Sequence, residues 1–355
     1  MLPTLTEPII AKDFTEHSQG TILNNNSNLS IVIPSYNSNS TIFKLIESIS
    51  NSQEKPYEVI IVDDCSTDNS LKSILKNYSW IRILQLQKNS GPSRARNIGA
   101  VIAKREIILF LDSDVILTPN AIGTVEKKHK ENPDIAGYQG RYHWEAANPG
   151  LFQSYKALIN HYWYLNSKES TTINFLVTYA CTIKKDILLE VGGFDEAYKG
   201  ADVEDYELGY RIAEKYKLLH EPKLEVYHHF PGFIKNTRNY IDRGSKWFSL
   251  FIKNKRFDSG GATSRNEAMI RLLGGLSFLS FFTAFLNKKM FVLFISISTL
   301  YILANYRFFF FCLQKKGVKY LLLGIIFHYI SSVVICLTML SSFFKYLLSK
   351  KGKTI

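Results

Sequence analysis

At 355 residues, 46% apolar and 21% charged, the chain is globular and long enough for one large domain or two ordinary ones, which excludes a disordered or fibrous protein. Its net charge of +12 is uneven: residues 251–355 carry 15 Lys/Arg against Asp258 and Glu267, so the first 250 residues are close to neutral. A basic nucleic-acid groove is therefore not expected on the first part, and cations flanking apolar runs in the last part point to an anionic membrane surface. The four cysteines (Cys65, Cys181, Cys312, Cys336) form no CxxC, so neither a disulfide framework nor a zinc knuckle is expected, and a reducing compartment is the simpler setting.

The first 28 residues, ending in "NNNSN", read as a flexible polar lead-in without the basic start and apolar core of a signal peptide. A regular alternation follows. "LSIVIPSYN" is a strand running into a loop, and "STIFKLIESIS" is a helix with apolar Ile42, Leu45, Ile46 and Ile49 on one face. "YEVIIVDDCSTDNS" is a second strand, "LKSILKNY" a helix, "IRILQLQ" a third strand and "PSRARNIGAVIAK" a helix. "EIILFLDSDVIL" is a fourth strand. Continuous apolar strands separated by helices predict an α/β domain with a mainly parallel sheet covered on both faces. Ligands bind at the carboxyl ends of such strands. Here those ends carry "PSYN", "DDCSTD" and "DSD".

Residues 135–230 are less regular and end in a strand-like "KLEVYHHF". The basic, aromatic "IKNTRNYIDRGSKWFSLFIKNKR" suits either a membrane surface or a helix closing the soluble part. Three long uncharged runs follow, Leu272–Asn287, Met290–Tyr306 and Tyr320–Phe344. They predict two or three spanning helices, since about 20 apolar residues cross a bilayer. Lys/Arg on every connection, in "NKK", "QKKGVK" and "SKKGK", leave the topology open.

The chemistry-bearing residues stand at the strand ends. Asp112 and Asp114 in "LDSD" are the carboxylates expected of a hard-cation and diphosphate site, although a solvated strand end would look the same. Asp63 and Asp64 leave a strand where a nucleobase or ribose could be hydrogen-bonded, while Ser66 to Asp68 suit a helix cap. Arg94, Arg96 and Lys88 suit phosphates near a helix start, or Arg96 and Asn97 tie loops together. "GADVEDYELGYRI" crowds Asp202, Glu204, Asp205 and Glu207; Asp202 fits a cap and Glu207 a solvated face.

In this order, "SIVIPSYN", "EVIIVDDCSTDNS", "SGPSRARNIGA", "ILFLDSDV", "VGGFDE" and "VEDYELGYRI" resemble the family 2 glycosyltransferases with the Rossmann-like GT-A fold. The resemblance covers about residues 29–230 and implies a nucleotide-diphospho-sugar donor, a UDP-sugar foremost, a divalent cation (Mg²⁺ or Mn²⁺) and inversion at the anomeric carbon. It places the nucleoside at Pro34, Tyr36, Asp63 and Asp64, the ribose or diphosphate at Asp112, and the metal at Asp114 with His228 or His229. Asp205, beside Glu204, takes the general-base role, and Arg96 stays with the donor site. In place of the QxxRW of processive synthases the chain has only "RGSKW" (Arg243, Trp247), which favours transfer of one sugar. Cys181 is assigned nothing beyond packing.

The expected organisation is a lead-in (1–28), a GT-A domain (29–232), a basic interfacial linker (233–268) and a membrane region (269–355). The expected acceptor is a lipid-linked or cell-surface glycan, reached by an inner-membrane enzyme whose catalytic domain faces the cytoplasm. A polyprenyl-phosphate sugar synthase and a silent nucleotide-sugar-binding membrane protein are the alternatives. A pyrophosphorylase is disfavoured because "IPSYNSNST" lacks the glycine-rich loop that cradles a triphosphate.

Overall fold

The computed structural model describes residues 14–165 and 171–351. Residues 1–13 of the expected lead-in, 166–170 of the irregular segment and 352–355 of the terminal basic run lie outside the described residues. The chain divides into two compact units. The first holds residues up to His143 and Asn166–His229; the second holds Trp144–Leu165 and everything from Phe230.

In chain order the first unit contains β1 (Phe14–Gln19), β2 (Leu29–Ser35), α1 (Ile42–Ser50), β3 (Glu58–Asp63), α2 (Ser70–Asn77), β4 (Arg82–Leu86) and α3 (Pro92–Ile102). It continues with β5 (Ile107–Leu111), β6 (Val115–Leu117), α4 (Ala121–Glu131) and β7 (Gly137–Tyr142). The second unit contributes α5 (Leu151–Trp163) before the chain returns for β8 (Thr171–Ile173), β9 (Ala180–Lys184), α6 (Lys185–Glu190), α7 (Glu204–Ala213) and β10 (Leu218–His228).

The strands form one mixed sheet in the order β1-β4-β3-β2-β5-β9-β7-β10-β6, with β8 also on β10. β2 pairs parallel with both β3 and β5, β3 with β4, and β7 with β10. β9 runs antiparallel between β5 and β7, which returns β7 and β10 to the direction of β5. Six strands therefore point one way, and the carboxyl ends of β2, β3, β4, β5, β7 and β10 share an edge. This is the GT-A arrangement. The parallel strands are apolar because helices cover both faces: β3 and β5 are buried at every position. α1 buries Ile42, Leu45, Ile46 and Ile49, the face its spacing predicts, each worth about 1.5–3 kcal/mol in removed apolar surface.

Two elements depart from the sequence reading. Phe14–Gln19 lies within the expected lead-in but is an edge strand, because alternating polar residues suit a half-exposed strand laid antiparallel on β4. The "EIILFLDSDVIL" strand is two strands: the chain reverses at Asp112–Asp114, and β6 pairs with β10 instead of continuing β5. The three residues Asp-Ser-Asp are that reversal.

The second unit is helical: α5, α8 (Phe233–Asn254), α9 (Arg265–Thr283), α10 (Lys288–Ala304), α11 (Tyr306–Lys316) and α12 (Val318–Lys351). Residues 144–165, expected in the catalytic domain, belong here because Phe152, Tyr155, Leu158 and Ile159 of α5 pack with Tyr301, Phe308, Phe309 and Phe311 in one apolar cluster. One helix is long and apolar enough to cross a membrane, Val318–Leu348. α10 and α11 pass that test only together, bent by 55° at Asn305. The run from Leu272 does not reach the required length, and α9 carries buried Glu267 and Arg271 in its first two turns.

Candidate active site

The shared carboxyl edge collects the polar loops into three groups of side chains. The first gathers at the ends of β2 and β3. Asp63 and Asp64 are 2% and 4% exposed and accept bonds from the surrounding loops. Asp63 Oδ2 accepts from the Ser66 N–H (3.1 Å) and Gln85 Nε2 (3.3 Å). Asp64 accepts from the N–H groups of Ser90 (2.6 Å) and Gly91 (2.8 Å). Burial pushes the Asp64 carboxyl above the usual range, the two N–H groups pull it back, and the Asp63 charge adds to the rise. Gly91 has φ +92°, and a Cβ there would stand 2.5 Å from the Lys199 carbonyl oxygen, so glycine lets this loop close on residue 199. Pro34 sits level with Val62 in the ladder, and the Tyr36 ring is half exposed beyond it. Asn37, which the sequence reading passed over, joins the two loops: its Oδ1 accepts from the N–H of Thr67 (2.8 Å) and its own N–H donates to Ser66 Oγ (2.9 Å). An Asn just after a strand is the signal that could have found it, since Asn tolerates the left-handed turn conformation that Asn37 adopts. Of the stretch Ser66 to Asp68, Asp68 satisfies the start of α2 by accepting from the Ser70 N–H (3.1 Å), while Asn69 stands at the N-cap position without a side-chain cap bond.

The second group centres on Arg96. Its guanidinium, 3% exposed, donates to Asp112 Oδ1 (2.8 Å) and Glu204 Oε1 (2.9 Å) and lies over the Phe194 ring. Burial alone would lower its pKa, but Asp112, Glu204 and Asp205 raise it. Arg96 thus pairs with two acids from separate loops, which is the loop-tying alternative that the sequence left open beside a phosphate contact. Its neighbours do the same work. Arg94 bonds Glu196 (2.6 Å), and Asn97 exchanges bonds with the backbone of Phe194 (2.8 and 2.9 Å). The "RARN" and "GGFDE" motifs therefore form one clamp.

The crowded acids of α7 separate by role. Glu204 joins Arg96 to the Asp202 N–H (2.8 Å). The N-cap residue is Val203, with no side-chain cap bond, so Asp202 is not the cap that the spacing suggested. Glu207 is not merely solvated: it forks onto Arg211 (2.7 and 2.8 Å), whose other N–H groups reach the carbonyls of Val191 and Gly193. Asp205, 9% exposed, accepts from the N–H of Tyr206 (2.8 Å) and of Thr178 (3.3 Å), just before β9. Gly209 permits that approach, since a Cβ would stand 2.4 Å from the Leu176 nitrogen. Thr178 offered no sequence signal, because only the antiparallel β9 delivers it to this edge.

The third group pairs Asp114 with His228, Oδ1 to Nε2, at 3.4 Å. His228 ends β10 opposite Val115, and its ring meets Tyr142 edge-on at 5.2 Å; Tyr142 in turn stacks on Tyr179 at 3.7 Å. His229 donates its backbone N–H to the Asp114 carbonyl (2.9 Å). Its ring is pushed below the ordinary histidine pKa by burial, then by Lys44 and His228. Of the two histidines, His228 is the one facing Asp114. No set of three His, Cys, Asp or Glu gathers as a metal shell among the described residues. Cys181 is buried in β9 opposite Phe110, in keeping with packing.

Residues 30–192 match the family model described as "Glycosyl transferase family 2". An uncharacterised glycosyltransferase of Haemophilus influenzae is 29% identical over 206 residues, 56% of this chain and 64% of its own. The poly(ribitol-phosphate) beta-N-acetylglucosaminyltransferase TarS of Staphylococcus aureus is 32% identical over 170 residues, 44% of this chain and 28% of its own. The chain thus spans less than two thirds of either relative. Among solved structures, a mannosyltransferase of Pyrobaculum calidifontis in complex with GDP-Man and Mn²⁺ superposes with a TM-score of 0.53 at 13% identity, covering 95% of this chain and 91% of that one, a likeness of fold. Residues 30–192 are a domain of glycosyl transferase family 2, built on the GT-A fold.

Proposed function

We propose that the chain is an inverting glycosyltransferase that moves one sugar from a nucleotide-diphospho-sugar, a UDP-sugar foremost, to a lipid-linked or cell-surface glycan acceptor. The observation that carries this reading is the division of the acids at the carboxyl edge. Arg96 takes Asp112 and Glu204 in direct ion pairs, whereas Asp205 is oriented by the backbone N–H groups of Thr178 and Tyr206. Peptide N–H groups fix the orientation of the Asp205 carboxylate, and a general base must first be held within reach of the hydroxyl proton that it takes.

In the proposed step the acceptor hydroxyl oxygen bonds to the anomeric carbon from the face opposite the diphosphate. The bond from that carbon to the phosphate oxygen breaks, the nucleoside diphosphate leaves, and the hydroxyl proton passes to Asp205. Tyr36, half exposed, offers its ring to the base, with Pro34 shaping the loop and Asp63 and Asp64 holding the walls of the nucleoside pocket. Asp114 and His228, 3.4 Å apart, fit as the protein's share of a divalent-cation shell, with diphosphate oxygens completing it. Bound there, Mg²⁺ or Mn²⁺ would neutralise charge on the departing diphosphate.

TarS supports an acceptor hydroxyl on a polymer: by its name it acts on poly(ribitol-phosphate), and ribitol presents hydroxyls. Exposed Leu322, Ile326, Phe344 and Leu348 on the helix Val318–Leu348 support membrane anchoring, and the cytoplasmic supply of nucleotide sugars supports a cytoplasmic site. The test is turnover of a panel of nucleotide sugars by the full chain in detergent. Asp205→Asn should lower kcat about 10²- to 10⁴-fold with little change in donor KM or Tm. Undiminished kcat sinks the assignment of the base, and failure of every donor to bind sinks the reading as a whole.

A further inference from the structure

The second unit buries a charged network that sugar transfer does not use. Arg271, 5% exposed in α9, donates to Glu267 (2.9 Å) and to Ser332 Oγ (3.0 Å). Ser332 donates to the His328 carbonyl (2.7 Å) and meets the Tyr301 hydroxyl (3.1 Å). The fully buried His328 bonds through Nδ1 to the Tyr155 hydroxyl (3.2 Å). One residue along α5, Lys156 is 7% exposed; it donates to the Tyr240 hydroxyl (2.8 Å) and lies 6.0 Å from the centre of the Trp163 ring. Lys156 and Arg271 both act electrostatically on Tyr240 and on His328, which makes this one neighbourhood.

Its charges do not balance. Glu267 answers Arg271, but no carboxylate pairs with Lys156 among the described residues. A buried cation without a counter-charge costs several kcal/mol, so it is rarely retained without a use. Two bonds are also unmade. Arg271 Nε has no partner and is a donor; His328 Nε2 has none, and it is a donor in the tautomer whose Nδ1 accepts from the Tyr155 hydroxyl. Lys156 has used one of its three N–H groups. Unspent donors around an unanswered positive charge are what an oxyanion completes.

We propose that Lys156, Arg271 and His328 form a binding site for a phosphate monoester, with Tyr155 and Tyr240 as its hydroxyl lining. The missing anion belongs to the ligand. The site is separate from donor turnover and stands whether or not the first unit transfers sugar.

The test uses the full chain in an uncharged detergent, with dodecyl phosphate as probe and dodecanol and inorganic phosphate as companions. Dodecyl phosphate should raise Tm by several degrees more than dodecanol, and excess UDP should leave that rise intact. Inorganic phosphate matching the rise would assign a free phosphate; a rise only with dodecyl phosphate assigns a lipid-borne one. Lys156→Met should weaken dodecyl phosphate binding at least ten-fold while leaving the Tm of the ligand-free chain unchanged or raised, and Lys156→Arg should keep the binding. Three results overturn the proposal: equal effects of dodecyl phosphate and dodecanol on the wild-type chain, loss of the rise on adding UDP, or unchanged binding in Lys156→Met. The first two need no variant to fold.

Discussion

Two buried cations, Arg96 in the first unit and Lys156 in the second, meet opposite surroundings. Arg96 is answered by Asp112 and Glu204 from separate loops, so its charge is spent on holding the carboxyl edge together. Lys156 is answered by a phenol hydroxyl and aromatic faces. Equal burial therefore does not mean equal purpose. A cation matched by carboxylates is a strut, and one left unmatched is available to a ligand.

The strongest way to break this comparison is to remove both cations in turn. Arg96→Met leaves Asp112 and Glu204 without their counter-charge and should destabilise the first unit by about 3–5 kcal/mol. Lys156→Met removes an unanswered charge and should be neutral or stabilising by about 1–4 kcal/mol. Denaturant midpoints of the two variants that move in the same direction would erase the distinction.

A smaller effect sharpens the metal assignment. His228→Ala should raise the Mn²⁺ concentration needed for half-maximal donor turnover by roughly ten-fold or more, whereas His229→Ala should shift it much less. Equal shifts in a metal titration would show that the 3.4 Å approach of His228 to Asp114 carries no weight.

The smallest expected effect is on pH. Burial, then Lys184, pushes His129 down to about 3, and burial, then Arg141, pushes His220 down to about 4. Both are neutral when folded but take a proton near pH 6.5 when unfolded, so stability is full above about 6.5 and is lost as pH falls toward about 4 and then about 3. The first unit's unfolding midpoint should drop between pH 7 and 5, and His129→Gln should flatten the drop. A midpoint constant over that range would sink the linkage.

Much of the first unit was legible in the residues. The α1 face and the apolar strands follow from periodicity and burial, which are local, and the strand-end loops follow from strand polarity. The sharing of acids at the site was not legible. "VEDYELGYRI" shows crowding, but whether that crowding is relieved depends on Arg96, 108 residues away from Glu204. The choice between His228 and His229 likewise waits on the pairing of β10 with β6, which decides which ring meets Asp114. In the second unit, apolar runs announced long helices, but Lys156 lay within a segment without readable pattern, and its company of Tyr240, Arg271 and His328 comes from three other helices.

By itself the sequence determined the family 2 domain, the alternation of strands and helices, and the candidate acids, because each is a matter of residue type at short spacing. Only the tertiary structure decided which acids reach Arg96, which peptide N–H groups orient Asp205, where the Asp-Ser-Asp reversal stands, and which buried cation lacks a carboxylate partner among the described residues. Those depend on contacts between residues far apart in the chain, and electrostatic balance is a property of a neighbourhood, which periodicity and local spacing do not specify.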